Sequence, residues 1–275
     1  MPTTLIEILK SLFLGIVEGI TEWLPISSTG HMLLVDEFLT LGGSEAFKET
    51  FFVVIQLGAI AAVVVLFFER MMPIRLDRAP GPRIKKDTLL LWCRIALACL
   101  PGALAALLLD DLVERHLHTP VVIAAALVLY GIAFLLIERA RKGKTPRVEH
   151  LEQIGWRDAL LIGIFQVLAI IPGTSRSGAT ILGALLIGIS RTAAAEFTFF
   201  LAVPTMLGMS LLKLLSFGLG FSSTEAIVLL SGTLTAFAVS LLAIRFLLSY
   251  VRRHDFKLFG IYRIVLGLIV LALLL

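Results

Sequence analysis

The stretch Glu18-Gly19-Ile20-Thr21-Glu22-Trp23-Leu24-Pro25-Ile26-Ser27-Ser28-Thr29-Gly30-His31 decides how this sequence folds. It sits inside an apolar run from 4 to 41, and LPISSTGH interrupts that run with a proline, three hydroxyls and a glycine. The apolar pieces on either side, each about 10 to 15 residues, are too short to cross a bilayer core alone. Broken helix at membrane depth is tolerated only where the freed backbone is buried in protein or lines a wet cavity. The reading is a re-entrant hairpin of two half-helices joined by a polar elbow.

Composition supplies the membrane. Of 275 residues, 58% are hydrophobic and 16% charged, against the roughly 45–50% apolar content of a soluble domain, so a water-soluble globule is excluded. The formal charge of +4 does not indicate nucleic acid, because the basic residues lie in loops between apolar runs and not on one solvated face. Continuous apolar runs at 51–68, 88–109, 120–137, 194–215, 226–250 and 258–275 predict six full spans. A second interrupted run, 159–190, is broken by Ile171-Pro172-Gly173-Thr174-Ser175-Arg176-Ser177-Gly178 and predicts a second hairpin. The expected fold is an all-α polytopic membrane protein, one domain over 1–275, with six transmembrane helices and two re-entrant hairpins. The N-terminal MPTTLIEILKS has neither the basic region nor the cleavage site of a signal peptide, so the first helix is expected to stay in the mature chain.

Short cytoplasmic loops carry the excess of lysine and arginine. Arg70, Arg75, Arg78, Arg83, Lys85 and Lys86 fall in loop 69–87, and Arg139, Arg141, Lys142, Lys144, Arg147 and Arg157 in loop 138–158; Arg252, Arg253 and Lys257 bring the total to fifteen of 24. The opposite loops hold Arg115 alone. Following the chain through these loops makes the hairpins enter from opposite faces.

A shift of 148 residues aligns the two interrupted runs without a gap: Gly15 with Gly163, Ser27 with Ser175, Gly30 with Gly178, and Thr50-Phe51-Phe52 with Thr198-Phe199-Phe200. With opposite sidedness this is an inverted-topology repeat, of halves 1–137 and 155–275 around cytoplasmic loop 138–158. Such folds put the working site near the midplane, where broken helices meet.

Glu18 and Glu22 are four apart and share a helix face. Each ionised carboxylate at this depth costs on the order of 2.5–3.5 kcal/mol, so something must compensate them: a divalent cation, a shared proton, or an arginine from the facing hairpin. Arg176 is such an arginine, and its planar fork suits phosphate oxygens. Exposed amides and the positive dipole end at each break add an anion site. The candidate phosphate contacts are therefore Ser27, Thr29 and Gly30 on the first elbow and Thr174, Ser175, Arg176, Ser177 and Gly178 on the second. If His31 reaches Ser28 or Thr29, it serves as base to a nucleophile or acid to a leaving group. Each feature alone has a plainer explanation: a Pro-Gly break is more often a kink, paired glutamates also serve as a proton relay, and a buried histidine is often merely hydrogen-bonded. Their coincidence in fourteen residues, answered by a basic break, favours a site. Arg191 and Glu196 are expected to pair with each other near the inner face. Cys93 and Cys99 read as inert packing residues, and His116 and His118 as a solvated loop.

EGITEWLPISSTGH, FFVVIQLGAIAAVV, PGTSRSGATI and AAEFTFFLAVPTM, in this order, resemble the undecaprenyl-diphosphatase family, the BacA-type bacitracin-resistance proteins. The resemblance implies a bacterial cytoplasmic (inner) membrane enzyme that removes the terminal phosphate of undecaprenyl diphosphate at the extracytoplasmic face, regenerating the monophosphate carrier lipid for cell-wall synthesis. It carries functional roles to Glu18, Glu22, Ser28, Thr29, His31, Ser175, Arg176 and Ser177, and it implies a divalent cation. Read together with the residues, the expected catalytic set is Ser28 as nucleophile, His31, Glu22 and Arg176, with Mg²⁺ or Ca²⁺ held by Glu18 and Glu22. Direct attack by an activated water is the competing route. Membrane lipids are expected partners, and a homodimer stays open. The alternative function is a secondary transporter or flippase of an anionic lipid or phosphate, since that class shares the broken-helix plan.

Overall fold

The structure is a computed structural model that describes residues 2–74, 84–218 and 220–274. Arg75, Arg78 and Arg83 of the basic loop lie outside the described residues. Helices α1 (Pro2–Thr21) and α2 (Ser28–Phe38) flank the first break. Next come α3 (Glu45–Val54) and α4 (Gln56–Leu66), which make one span with a step at Ile55, and the single turn α5 (Phe68–Met71). Two long helices follow, α6 (Lys86–Leu117) and α7 (Pro120–Ala140). The second break lies between α8 (Trp156–Val167), extended by a 3₁₀ turn at Leu168–Ile170, and α9 (Arg176–Leu186). The chain ends with α10 (Arg191–Phe217), α11 (Ser223–Val251) and α12 (Lys257–Leu274).

Among the described residues, six segments are long and apolar enough to cross a membrane: Glu45–Leu66, Lys86–Leu109, Pro120–Ala140, Arg191–Phe217, Ser223–Val251 and Lys257–Leu274. They coincide with the six apolar runs, so the chain is a multi-pass, all-helical membrane protein. Large apolar side chains such as Leu107, Leu212 and Leu242 stand on the outer surface, where lipid tails solvate them as well as a core would.

Two expectations are corrected. The first arm is longer than expected, 20 residues in α1, or about 30 Å at 1.5 Å per residue. Its early charges do not end the helix because they are partnered: Lys10 donates to Glu7 at 2.8 Å and to the Thr40 carbonyl at 2.7 Å. The second concerns Arg191 and Glu196, which do not pair. Arg191 instead grips buried Glu138, with Nη2 to Oε2 at 2.5 Å, while Glu196 accepts from Arg70 at 2.8 Å.

Helix association in lipid rests on close packing, which small residues permit. α7 lies along α12, α1 along α11, and α8 along α6. Where α7 meets α12, Gly131 and Gly260 face each other, and a Cβ built on either would come within 2.8 Å of the other's carbonyl oxygen. A Cβ on Gly58 of α4 would stand 2.0 Å from the Thr233 carbonyl of α11, so that contact admits only glycine.

Candidate active site at the two helix breaks

Each break is turned by a serine in the left-handed region. Ser27 has φ 74° and Ser175 φ 69°, the two non-glycine residues with positive φ among those described. A non-glycine residue held there is costly and persists only when its surroundings over-determine it. Each serine also caps the helix it begins: the amide of Gly30 donates to Ser27 Oγ at 3.3 Å, and that of Gly178 to Ser175 Oγ at 3.2 Å. The two caps are 148 residues apart, the spacing that aligned the sequence with itself. Gly173, at φ 88°, completes the second elbow and packs so closely on Ile123 that a Cβ would meet its carbonyl oxygen at 2.5 Å.

The elbows touch, and Glu22 is the hub. Its Oε1 accepts from Arg176 Nη2 at 3.0 Å and its Oε2 accepts from the Ser28 hydroxyl at 2.9 Å. Ser28 and Arg176 are the first residues of α2 and α9, so one carboxylate bridges the N-termini of both half-helices. Positive dipole ends and a guanidinium together supply the compensation that a buried acid requires. Ser177 ties the breaks again, donating to the Glu22 carbonyl at 3.1 Å. Arg176 Nη1 is anchored on the Thr198 carbonyl of α10 at 3.1 Å, which leaves its buried Nε without a partner in the protein. Thr174 is buried and Thr29 stands exposed beside Ser28.

Glu18 sits one turn before Glu22, 2% exposed, and its Oε1 has no hydrogen-bond partner. A buried carboxylate oxygen left orphaned is expensive, and it is the kind of donor a divalent cation takes. Among the described residues no three His, Cys, Asp or Glu side chains are grouped to hold a metal by themselves. Two carboxylates, with phosphate oxygens and water for the rest, is nonetheless the donor set Mg²⁺ commonly uses, so Glu18 and Glu22 fit a cation that arrives with a phosphate. At the matching position of the second half stands Gln166, also buried, also with an orphaned Oε1.

His31 does not reach Ser28. Its Nδ1 lies 2.7 Å from the Ser27 carbonyl and its Nε2 2.7 Å from the Tyr262 hydroxyl. The group in hydrogen-bond reach of the Ser28 hydroxyl is Glu22, so the contact to Ser28 that was expected of His31 is made by that carboxylate.

Arg263 of α12 was missed in the sequence. It is fully buried and donates to the Pro25 carbonyl of the first break at 3.3 Å, and to the Gly173 and Thr174 carbonyls of the second at 2.8 and 2.9 Å. Its guanidinium also lies over the Tyr130 ring at 5.4 Å. An arginine in the middle of a span is a functional candidate by default, and that signal was present in IYRIVLG.

Residues 11–269 match the family model described as bacitracin resistance protein BacA. The chain belongs to the BacA family. Similar proteins named undecaprenyl-diphosphatase come from Enterococcus faecalis, 62% identical over 99% of both chains, and from Desulfitobacterium hafniense, 55% identical over 97% of this chain and 96% of its own. A third, from Acetivibrio thermocellus, is 55% identical over 97% of both.

The two remaining BacA-type motifs now have physical reasons. FFVVIQLGAIAAVV carries Gly58, whose contact with Thr233 seats α4 against α11. AAEFTFFLAVPTM carries Thr198, whose carbonyl holds Arg176, and Phe199, whose ring meets that of Trp23 edge-on at 5.3 Å just beyond Glu22.

Proposed function

We propose that this chain is an undecaprenyl-diphosphate phosphatase, releasing inorganic phosphate from the lipid diphosphate and leaving the monophosphate carrier. The observation that carries the chemistry is Glu22, which accepts from Ser28 on one oxygen and from Arg176 on the other. The names borne by its full-length relatives supply the substrate.

In this reading Ser28 Oγ attacks the terminal phosphorus while Glu22 takes its proton. The bond from phosphorus to the bridging oxygen breaks, undecaprenyl phosphate departs, and water then cleaves the phosphoserine to free phosphate. Arg176, with its unpartnered Nε, and the amides at the starts of α2 and α9 hold the equatorial oxygens, where charge stabilisation dominates phosphoryl transfer. Glu18 and Glu22 are the residues that would hold Mg²⁺ or Ca²⁺. When bound there, that ion would neutralise charge on the diphosphate.

The matched serine caps, 148 residues apart, support an inverted repeat of halves 1–137 and 155–275. The pairing of α1 with α11 and of α8 with α6, each arm lying on a helix of the other half, supports it too. The short arms α2, α8 and α9, at 11, 12 and 11 residues, support re-entrant hairpins. The lysine and arginine loops support an orientation with loops 69–87 and 138–158 on the cytoplasmic side, and the family resemblance supports the bacterial cytoplasmic membrane with a site that opens to the extracytoplasmic face.

The deciding assay is phosphate release from a prenyl diphosphate by purified protein in detergent, where no second compartment exists. Release that disappears in Ser28→Ala supports the phosphatase. Absence of release from the unaltered chain leaves the transporter or flippase.

A further inference from the structure

Ser27 bears the strain of the first elbow, and its carbonyl is held differently from that of its counterpart. The Ser175 carbonyl accepts the Ala179 amide at 2.9 Å, an ordinary first-turn bond, whereas the Ser27 carbonyl is 3.4 Å from the equivalent amide of His31. The His31 side chain replaces that weakened bond, at 2.7 Å from Nδ1. A carbonyl only accepts, so Nδ1 carries the proton and Nε2 of the neutral ring is the acceptor. Nε2 faces the Tyr262 hydroxyl at 2.7 Å, with the two rings stacked within 7° of parallel. Ala179, where the second half has no histidine, has no such chain. The next residue of α12, Arg263, holds the Pro25 carbonyl on the other flank of the same elbow.

We infer that Tyr262 is a positioning residue: its hydroxyl fixes the ring of His31, which fixes the Ser27 carbonyl and so the orientation of Ser28. This rests on Ser28 being the nucleophile. Tyr262 acts on Ser28 through His31 and not directly, so its loss is expected in kcat and not in KM.

The test compares Tyr262→Phe, His31→Ala, His31→Asn and the corresponding doubles, by kcat and KM for phosphate release and by thermal melting in detergent. Tyr262→Phe keeps the ring and its packing and is expected to lower kcat about tenfold, the scale of a misplaced reacting group, with KM unchanged. Adding it to His31→Ala should cost nothing further. His31→Asn, which keeps a donor for the Ser27 carbonyl without needing the tyrosine, should recover part of the activity lost in His31→Ala and be indifferent to Tyr262→Phe. Normal kcat in Tyr262→Phe overturns the inference, as do losses that multiply in the double variants, which would indicate packing alone. Ser28→Ala in parallel separates this from failure of the nucleophile reading, because an active Ser28→Ala sinks that reading whatever Tyr262 does.

Discussion

The Ser28 hydroxyl donates to Glu22 across 2.9 Å, from the first residue of one half-helix to a carboxylate just past the end of α1. In the proposed mechanism that geometry gives Glu22 the role of base. Replacing it with Gln keeps the shape and removes the proton acceptor, so kcat should fall by about 10²–10⁴ in a phosphate-release assay. His31→Ala, acting only on the elbow, should fall less. The opposite ranking returns the role of base to histidine.

Arg176 makes two directed contacts, to Glu22 and to the Thr198 carbonyl. Lysine keeps the charge but not the fork. Arg176→Lys should therefore lose at least about tenfold in kcat/KM; kinetics near those of the unaltered chain would remove this guanidinium from the site.

The strained caps separate backbone from side-chain effects. At Ser175, φ 69° suits glycine, and glycine is also a tolerable N-cap. Ser175→Ala keeps the strain and loses the cap, at about 0.5–2 kcal/mol, so it should melt below Ser175→Gly. Equal melting temperatures would mean the cap contributes nothing.

Arg263 is the cross-brace, donating to three carbonyls from the two breaks. Arg263→Met fills similar volume but leaves those buried acceptors unserved, at about 1–3 kcal/mol each before relaxation. A clear fall in melting temperature together with lost activity is expected, and an unaffected melt would show that the breaks hold each other without it.

The orphaned Oε1 of Glu18 suggests a cation dependence. Chelation should abolish phosphate release, and Glu18→Gln should raise the Mg²⁺ concentration giving half-maximal rate by about tenfold or more, the loss expected when one ligand of a site is weakened. Full activity in chelator would leave Glu18 as a buried acid without that role.

Both breaks were legible because proline, glycine and hydroxyl residues inside an apolar run have few uses at membrane depth. The Glu22–Arg176 pair was legible as charge compensation, since a buried acid demands a partner. The histidine partners were not, because a ring's direction depends on Tyr262, 231 positions away. Arg263 is a single charge diluted in the apolar run 258–275, which hides it from a reading by composition. The supposed Arg191–Glu196 pair failed on helix geometry: residues five apart in α10 lie well round the helix from each other, whereas three or four apart would face. Their actual partners come from helices that no local pattern identifies.

The unequal chemistry of the two elbows has a consequence for how this molecule can be divided. Two copies of the first half would crowd carboxylates with no guanidinium between them, and two copies of the second would oppose guanidiniums with no acid to bridge. Only the unlike pairing balances, so the chain severed within loop 138–158 should regain function by complementation between the different fragments, and neither fragment should serve as its own mate.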